Sequence, residues 1–147
     1  MSGIVCAIRG GPKSQPTITQ AITLAQETGL PLYFLYVVNL DFLSHTSHSR
    51  IHTISEEMHH MGEFILLAAQ SAAAAQGLSA QGVVRHGNVA DEIISLCRDL
   101  DADYVVLGRP RGRGEESVFG QNLLKRFSQR IEQETQTQIV LAEEVST

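Results

Sequence analysis

The chain is poor in the residues that would staple, tag or anchor it. Its 147 residues include two cysteines, no tryptophan and four prolines. Cys6 and Cys97 stand far apart among apolar neighbours, which argues against a disulfide framework or a thiolate metal site and for two reduced, buried thiols in a cytosolic protein. No apolar run is long enough to span a bilayer, and Met1-Ser2-Gly3 followed by Ile4 to Ile8 lacks the basic start and longer apolar region of a secretion signal. Basic residues are scarce too: 11 Lys and Arg against 16 Asp and Glu give a formal charge of −5. A general nucleic-acid binder needs a net basic face to neutralise phosphates, so the charge argues against that class and any anion site has to be local. What remains is the composition of a globular chain, 43% hydrophobic and 18% charged, at the length of one domain spanning residues 1–147.

The apolar residues that are present fall into short runs separated by breakers. Ile4 to Ile8 is continuous and rich in β-branched residues, and it stops at Arg9-Gly10-Gly11-Pro12, so it reads as a buried strand. Ile18, Ala21, Ile22, Leu24 and Ala25 then recur at helical spacing, with Gly29 as a stop and Pro31 beyond it. Leu32 to Val38 is a second uninterrupted strand, the pattern of a parallel sheet covered on both faces. A long helical stripe from Ile51 to Ala73 follows, and Val83-Val84 predicts a third strand before Arg85-His86-Gly87. Ile93 to Leu100 predicts a third helix that starts near Asn88, an N-cap residue. Tyr104 to Leu107 is the fourth strand, Leu123, Leu124, Phe127 and Ile131 mark the fourth helix, and Ile139 to Leu141 the fifth strand. Strands alternating with helices imply a three-layer, doubly wound α/β sandwich around a five-stranded parallel sheet. In such sheets ligands bind beyond the carboxyl ends of the strands, where the strand order reverses.

Six basic residues map to those strand ends: Arg9, Lys13, Arg85, Arg109, Arg111 and Arg113. Gly10-Gly11 and Gly108, Gly112 and Gly114 accompany them, and glycine lets backbone N–H groups approach an anion closely. With a helix N-terminus to follow, these are the ingredients of a site for a small anionic ligand. Taken alone, each loop can equally be a tight turn with solvated arginines.

Three segments resemble the universal stress protein family: Ile4 to Ala25, Gly87 to Gly108, and Leu123 to Leu141. The most specific matches are the turn Gly87-Asn88-Val89-Ala90-Asp91-Glu92-Ile93 and the run Asp103-Tyr104-Val105-Val106-Leu107-Gly108. The resemblance implies the adenine nucleotide alpha hydrolase-like fold, a role in the stress response, and a site for ATP or a related adenine nucleotide. It implies a homodimer paired through the C-terminal strand as well, and Gln138 to Ala142 would leave an apolar edge if unpaired. Carried onto this sequence, the nucleotide site comprises Ile8, Arg9, Gly10, Val38, Gly87, Gly108, Arg109, Arg111, Gly112, Lys125 and Arg126. Two departures stand out. Arg9 occupies the position where members that hold ATP carry an aspartate, and a guanidinium cannot accept a hydrogen bond from an adenine amino group. In the phosphate loop Gly108 matches the first glycine, Arg111 falls at the second with Gly112 beside it, and the closing Gly-Ser is replaced by Gln121-Asn122 or Lys125-Arg126. An arginine there blocks the closest backbone approach but supplies charge that can grip phosphate. A dimeric member that binds no ATP is the alternative.

Other constellations carry less. His45, His48, His52 and His59 would line one face of a helix, with Glu56 between them, but in a polar stretch they are expected to be solvated, and no metal is expected. His86 lies beside the basic edge. No serine has an obvious His and Asp grouping, no Walker loop or dinucleotide fingerprint is present, and Arg9 to Ser14 only faintly resembles the pyrophosphate loop of adenylating enzymes. The expectation is a binding module rather than an enzyme.

Overall fold

The computed structural model of the chain describes residues 2–10, 14–40, 48–108 and 121–142. Five strands and four helices alternate: β1 (Ile4–Ala7), α1 (Gln15–Thr28), β2 (Leu32–Val38), α2 (His48–Ala75), β3 (Gln81–His86), α3 (Val89–Leu100), β4 (Tyr104–Leu107), α4 (Gln121–Glu134) and β5 (Gln138–Leu141). All pairings are parallel and the sheet order is β3-β2-β1-β4-β5. The chain winds outward from β1 to β3, crosses back, and winds outward again from β4 to β5. The order therefore reverses between β1 and β4.

Both sheet faces are covered, and this is why the strands read as unbroken apolar runs. Ile4, Cys6 and Ile8 of the first strand and its exit turn one way, with Phe34, Tyr36 and Val38, under Ile18, Ala21, Ile22 and Ala25 of α1 and Leu66, Ala69 and Ala73 of α2. Val5, Ala7, Leu35, Val105 and Leu107 turn the other way, against Ile93, Ile94, Leu96 and Cys97 of α3 and Phe127 and Ile131 of α4. The strand period of two is thus preserved in space although hidden in the sequence. Both cysteines are buried free thiols. Burial raises both thiol pKa values, that of Cys97 to about 12.

Local chemistry fixes the ends. Gly29 closes α1 with φ 72° and donates its amide to Ala25. Asn88 caps α3 by accepting the Asp91 amide at 3.1 Å, and Asp91 and Glu92 add negative charge in the first turn, where the helix dipole favours it. One sequence-based boundary is corrected. The third strand begins at Gln81 and continues through His86 rather than stopping at Val84. β3 is the outermost strand on its side, so its first residues, Gln81 and Gly82, are exposed and carry no apolar signal.

Candidate functional site

The reversal between β1 and β4 brings together the ends of sequence-distant segments. Ile8, buried, leaves β1 with its amide donated to Leu35, and Arg9 follows as an exposed residue. Gly10 comes next with φ 90°. A Cβ there would lie 2.6 Å from Cδ1 of Ile65 on α2, so only glycine lets the chain pass under that helix. Ser14 turns its hydroxyl back to the Gly10 carbonyl at 3.0 Å and makes no side-chain cap on α1. The first turn of α1 also lacks an acidic residue, so its positive dipole end is not offset locally.

Across the rim, Val38 is buried at the end of β2 and accepts the Gly87 amide at 2.9 Å, tying the exits of β2 and β3 together. Gly108 leaves β4 beside α1, where an added Cβ would meet Thr17 Oγ1 at 3.3 Å. Ile8, Arg9, Gly10, Val38, Gly87 and Gly108 therefore lie at the carboxyl ends of β1, β2, β3 and β4. Lys125 and Arg126 are exposed on the second turn of α4, flanking the buried Phe127. Arg109, Arg111 and Gly112 lie outside the described residues, as do Lys13 and Arg113.

Arg85 is not a rim cation. It sits within β3, turned to α3, where its guanidinium donates to Asp99 at 3.1 Å and to Ser95 at 3.4 Å. The sequence misplaces it because the short apolar pair Val83-Val84 understates the strand.

Of the histidine face, the side chains of His52 and His59 are described. His52 Nε2 lies 3.0 Å from a Glu56 oxygen one turn on. His59 Nδ1 and His86 Nε2 meet at 2.8 Å, joining α2 to the end of β3. Their ring planes are 18° apart with centroids 5.1 Å apart, so the nitrogens meet edge to edge, and such a bond needs one bare and one protonated nitrogen. Glu63 lies 3.7 Å from His59 Nε2 on the other side of the ring. Among the described residues no group of three His, Cys, Asp or Glu side chains is placed to hold a metal ion. His45 lies outside the described residues, and of His48 only the backbone is described. The His59–His86 pair escapes sequence reasoning because it spans two elements 27 residues apart.

With this geometry in place, the family model described as the universal stress protein family matches residues 1–137. The chain belongs to the universal stress protein family. No curated protein matches it. Among solved structures, the universal stress protein UspA from Lactobacillus plantarum is 14% identical with a TM-score of 0.76, over 97% of each chain. A universal stress protein in complex with cAMP is 16% identical with a TM-score of 0.64, over 97% of this chain and 96% of that one. The universal stress protein from Archaeoglobus fulgidus in complex with dAMP is 16% identical with a TM-score of 0.59, over 97% and 98%. At such identities the likeness carries the fold. The same layered α/β architecture thus underlies this universal stress protein, and no helix among its described residues is long and apolar enough to cross a membrane.

Proposed function

We propose that this universal stress protein is a cytoplasmic regulatory module of the stress response that binds an adenine nucleotide at the carboxyl edge of its sheet and pairs with a second copy through β5. The observation that carries the reading is that Ile8-Arg9-Gly10 and Gly108 leave β1 and β4 at the point where strand order reverses, the usual ligand position in open α/β sheets, with Val38 and Gly87 at the carboxyl ends of the two neighbouring strands. Support comes from the two neighbours whose structures hold cAMP and dAMP. On this reading buried Val38 and Ile8 would border an adenine ring, while the Gly108 loop with Arg109, Arg111 and Gly112, and Lys125 and Arg126 of α4, would meet the phosphate.

Arg9 favours a second reading, a dimeric member that does not bind ATP. A guanidinium at the end of β1 cannot accept a hydrogen bond from an adenine amino group, as a carboxylate can.

A thermal melt at low and high salt with ATP, AMP and cAMP separates the two, because a ligand that binds only the native state raises Tm. A salt-sensitive rise with AMP or cAMP that disappears in Arg109→Ala/Arg111→Ala is expected. No shift with any nucleotide overturns nucleotide binding and leaves the second reading. Steady release of phosphate from ATP would instead make the protein an enzyme. For the pairing, sedimentation of the protein should give a dimer.

A further inference from the structure

The edge formed by β3 lies on the opposite side of the sheet from β5, and what borders it is a groove rather than a flat rim. Gly87 donates to Val38, and backbone groups alternate along a strand, so Val83 and Arg85 face β2 while the N–H and C=O groups of Gly82, Val84 and His86 point to the open edge. The side chain of Val84 and the bare Cα of Gly82 also floor a groove of about 310 Å³, walled by Leu66, Leu67 and Gln70 of α2. His59 and Glu63 line the same groove on α2. Gly82 keeps it open: a Cβ there would meet Gln70 Oε1 at 2.9 Å and Leu66 Cβ at 3.1 Å, where the Gln70 amide now reaches the Ala80 carbonyl at 3.0 Å. Above the groove, α2 exposes Leu67 (61%) and Phe64 (74%).

We infer that this groove docks an extended segment of another protein, one that adds as a sixth strand to β3, sets apolar side chains against Leu67 and Val84, and carries lysine or arginine toward Glu63. The outward backbone groups select an extended chain, since a docked helix has none to offer them. Charge selects the side chains. The carboxylate on the groove's flank is Glu63, half exposed beside His59 and His60, and no lysine or arginine lines the groove. A two-fold pairing of this edge with itself would set that acidic flank against its own copy, and an isologous interface has to be self-complementary. A cationic strand from a different protein meets no such conflict.

The test uses a fluorescein-labelled synthetic peptide of about eight residues alternating valine and lysine, a typical strand length. Two controls accompany it: the same peptide with N-methyl groups on alternate residues, and one with glutamate for lysine. Saturable anisotropy with the first peptide alone, together with slowed amide exchange at Gly82, Val84 and His86, is expected. Glu63→Lys and Leu67→Asp, both on the exposed surface of α2, should each weaken it about tenfold, a change of about 1.4 kcal/mol. Val84→Pro, which removes an outward N–H at an edge position where proline is tolerated, should abolish it. Absence of saturation up to about 1 mM peptide, a binding free energy of about −4 kcal/mol, overturns the proposal. So does equal affinity for the N-methylated peptide, or self-association of the protein that Leu67→Asp abolishes. The nucleotide melt should be unchanged in Glu63→Lys and Leu67→Asp, so the two sites succeed or fail separately.

Discussion

The two edges of the sheet make an instructive contrast. β5 is four residues long, turns the backbone groups of Ile139 and Leu141 outward because Gln138 and Ala142 donate to β4, and is backed by α4 through Phe127 and Ile131. β3 is six residues long, begins with the polar pair Gln81-Gly82, and lies beneath a 28-residue helix that leaves Phe64 and Leu67 exposed. β5 borders a groove too, of about 530 Å³, lined by Ser128, Ile131, Glu132, Gln138 and Ile139. The groove beside β3, of about 310 Å³, is walled by Leu66 and Leu67 and carries one carboxylate, Glu63. An identical strand is proposed above for the first edge and a cationic strand for the second. Edge strands left bare are an association hazard, and on the two proposals the ends of this sheet would answer it in different ways.

The largest effects should come from removing what anchors each edge. Phe127→Ala is expected to cost about 3–5 kcal/mol and Leu66→Ala about 2–5 kcal/mol in urea unfolding, both being large-to-small changes in a packed core. Native-state hydrogen exchange should then release β5 amides first in the former and β3 amides first in the latter. If both variants release the same strand first, the edges are not independent and the contrast fails.

An alkaline titration probes the interior that the edges share. Because burial holds the Cys97 thiol at a pKa of about 12 against an ordinary 9.0, its stabilisation is complete below about pH 9 and is lost as pH rises toward 12. Unfolding free energy should fall over that window by up to about 1.4 kcal/mol per pH unit for this thiol. Cys97→Ala should flatten the slope, and an equally steep fall in that variant would assign the loss to other groups.

Ile139→Pro sharpens the comparison more finely. Its N–H points away from β4, so the ladder survives, and the lost packing of a partly buried isoleucine is expected to cost about 1–3 kcal/mol while a β5-paired dimer dissociates in sedimentation. Val84→Pro should leave that dimer intact. A dimer that resists the first and yields to the second would exchange the roles of the two edges. The smallest effect expected is that of Asn88→Ala, about 1 kcal/mol of stability from the lost α3 cap, with no change at either edge.

Much of the fold was legible because both faces of the sheet are covered. Leu32 to Val38 reads as a strand over its full observed length, and Gly29 and Asn88 mark helix ends by chemistry that acts within one turn. Legibility failed where burial is one-sided. Gln81 and Gly82 lie at an exposed edge and carry no hydrophobic signature, so β3 was cut short and Arg85 was displaced to a rim it does not occupy. Of the candidate site, the glycine turns and the exits of β1, β2 and β4 were readable from punctuation alone. The Gly10–Ile65 approach and the His59–His86 bond depend on how α2 lies across the sheet, and no local pattern encodes that.

Cys6 and Cys97, enclosed and held as neutral thiols, give the molecule little fast-reacting sulfur of its own near neutral pH. A single cysteine placed at Leu67 or at Gln138, both exposed, would then be the position a maleimide dye finds first. Each border of the sheet can therefore carry its own fluorescent reporter in an otherwise wild-type background, without replacing either native residue.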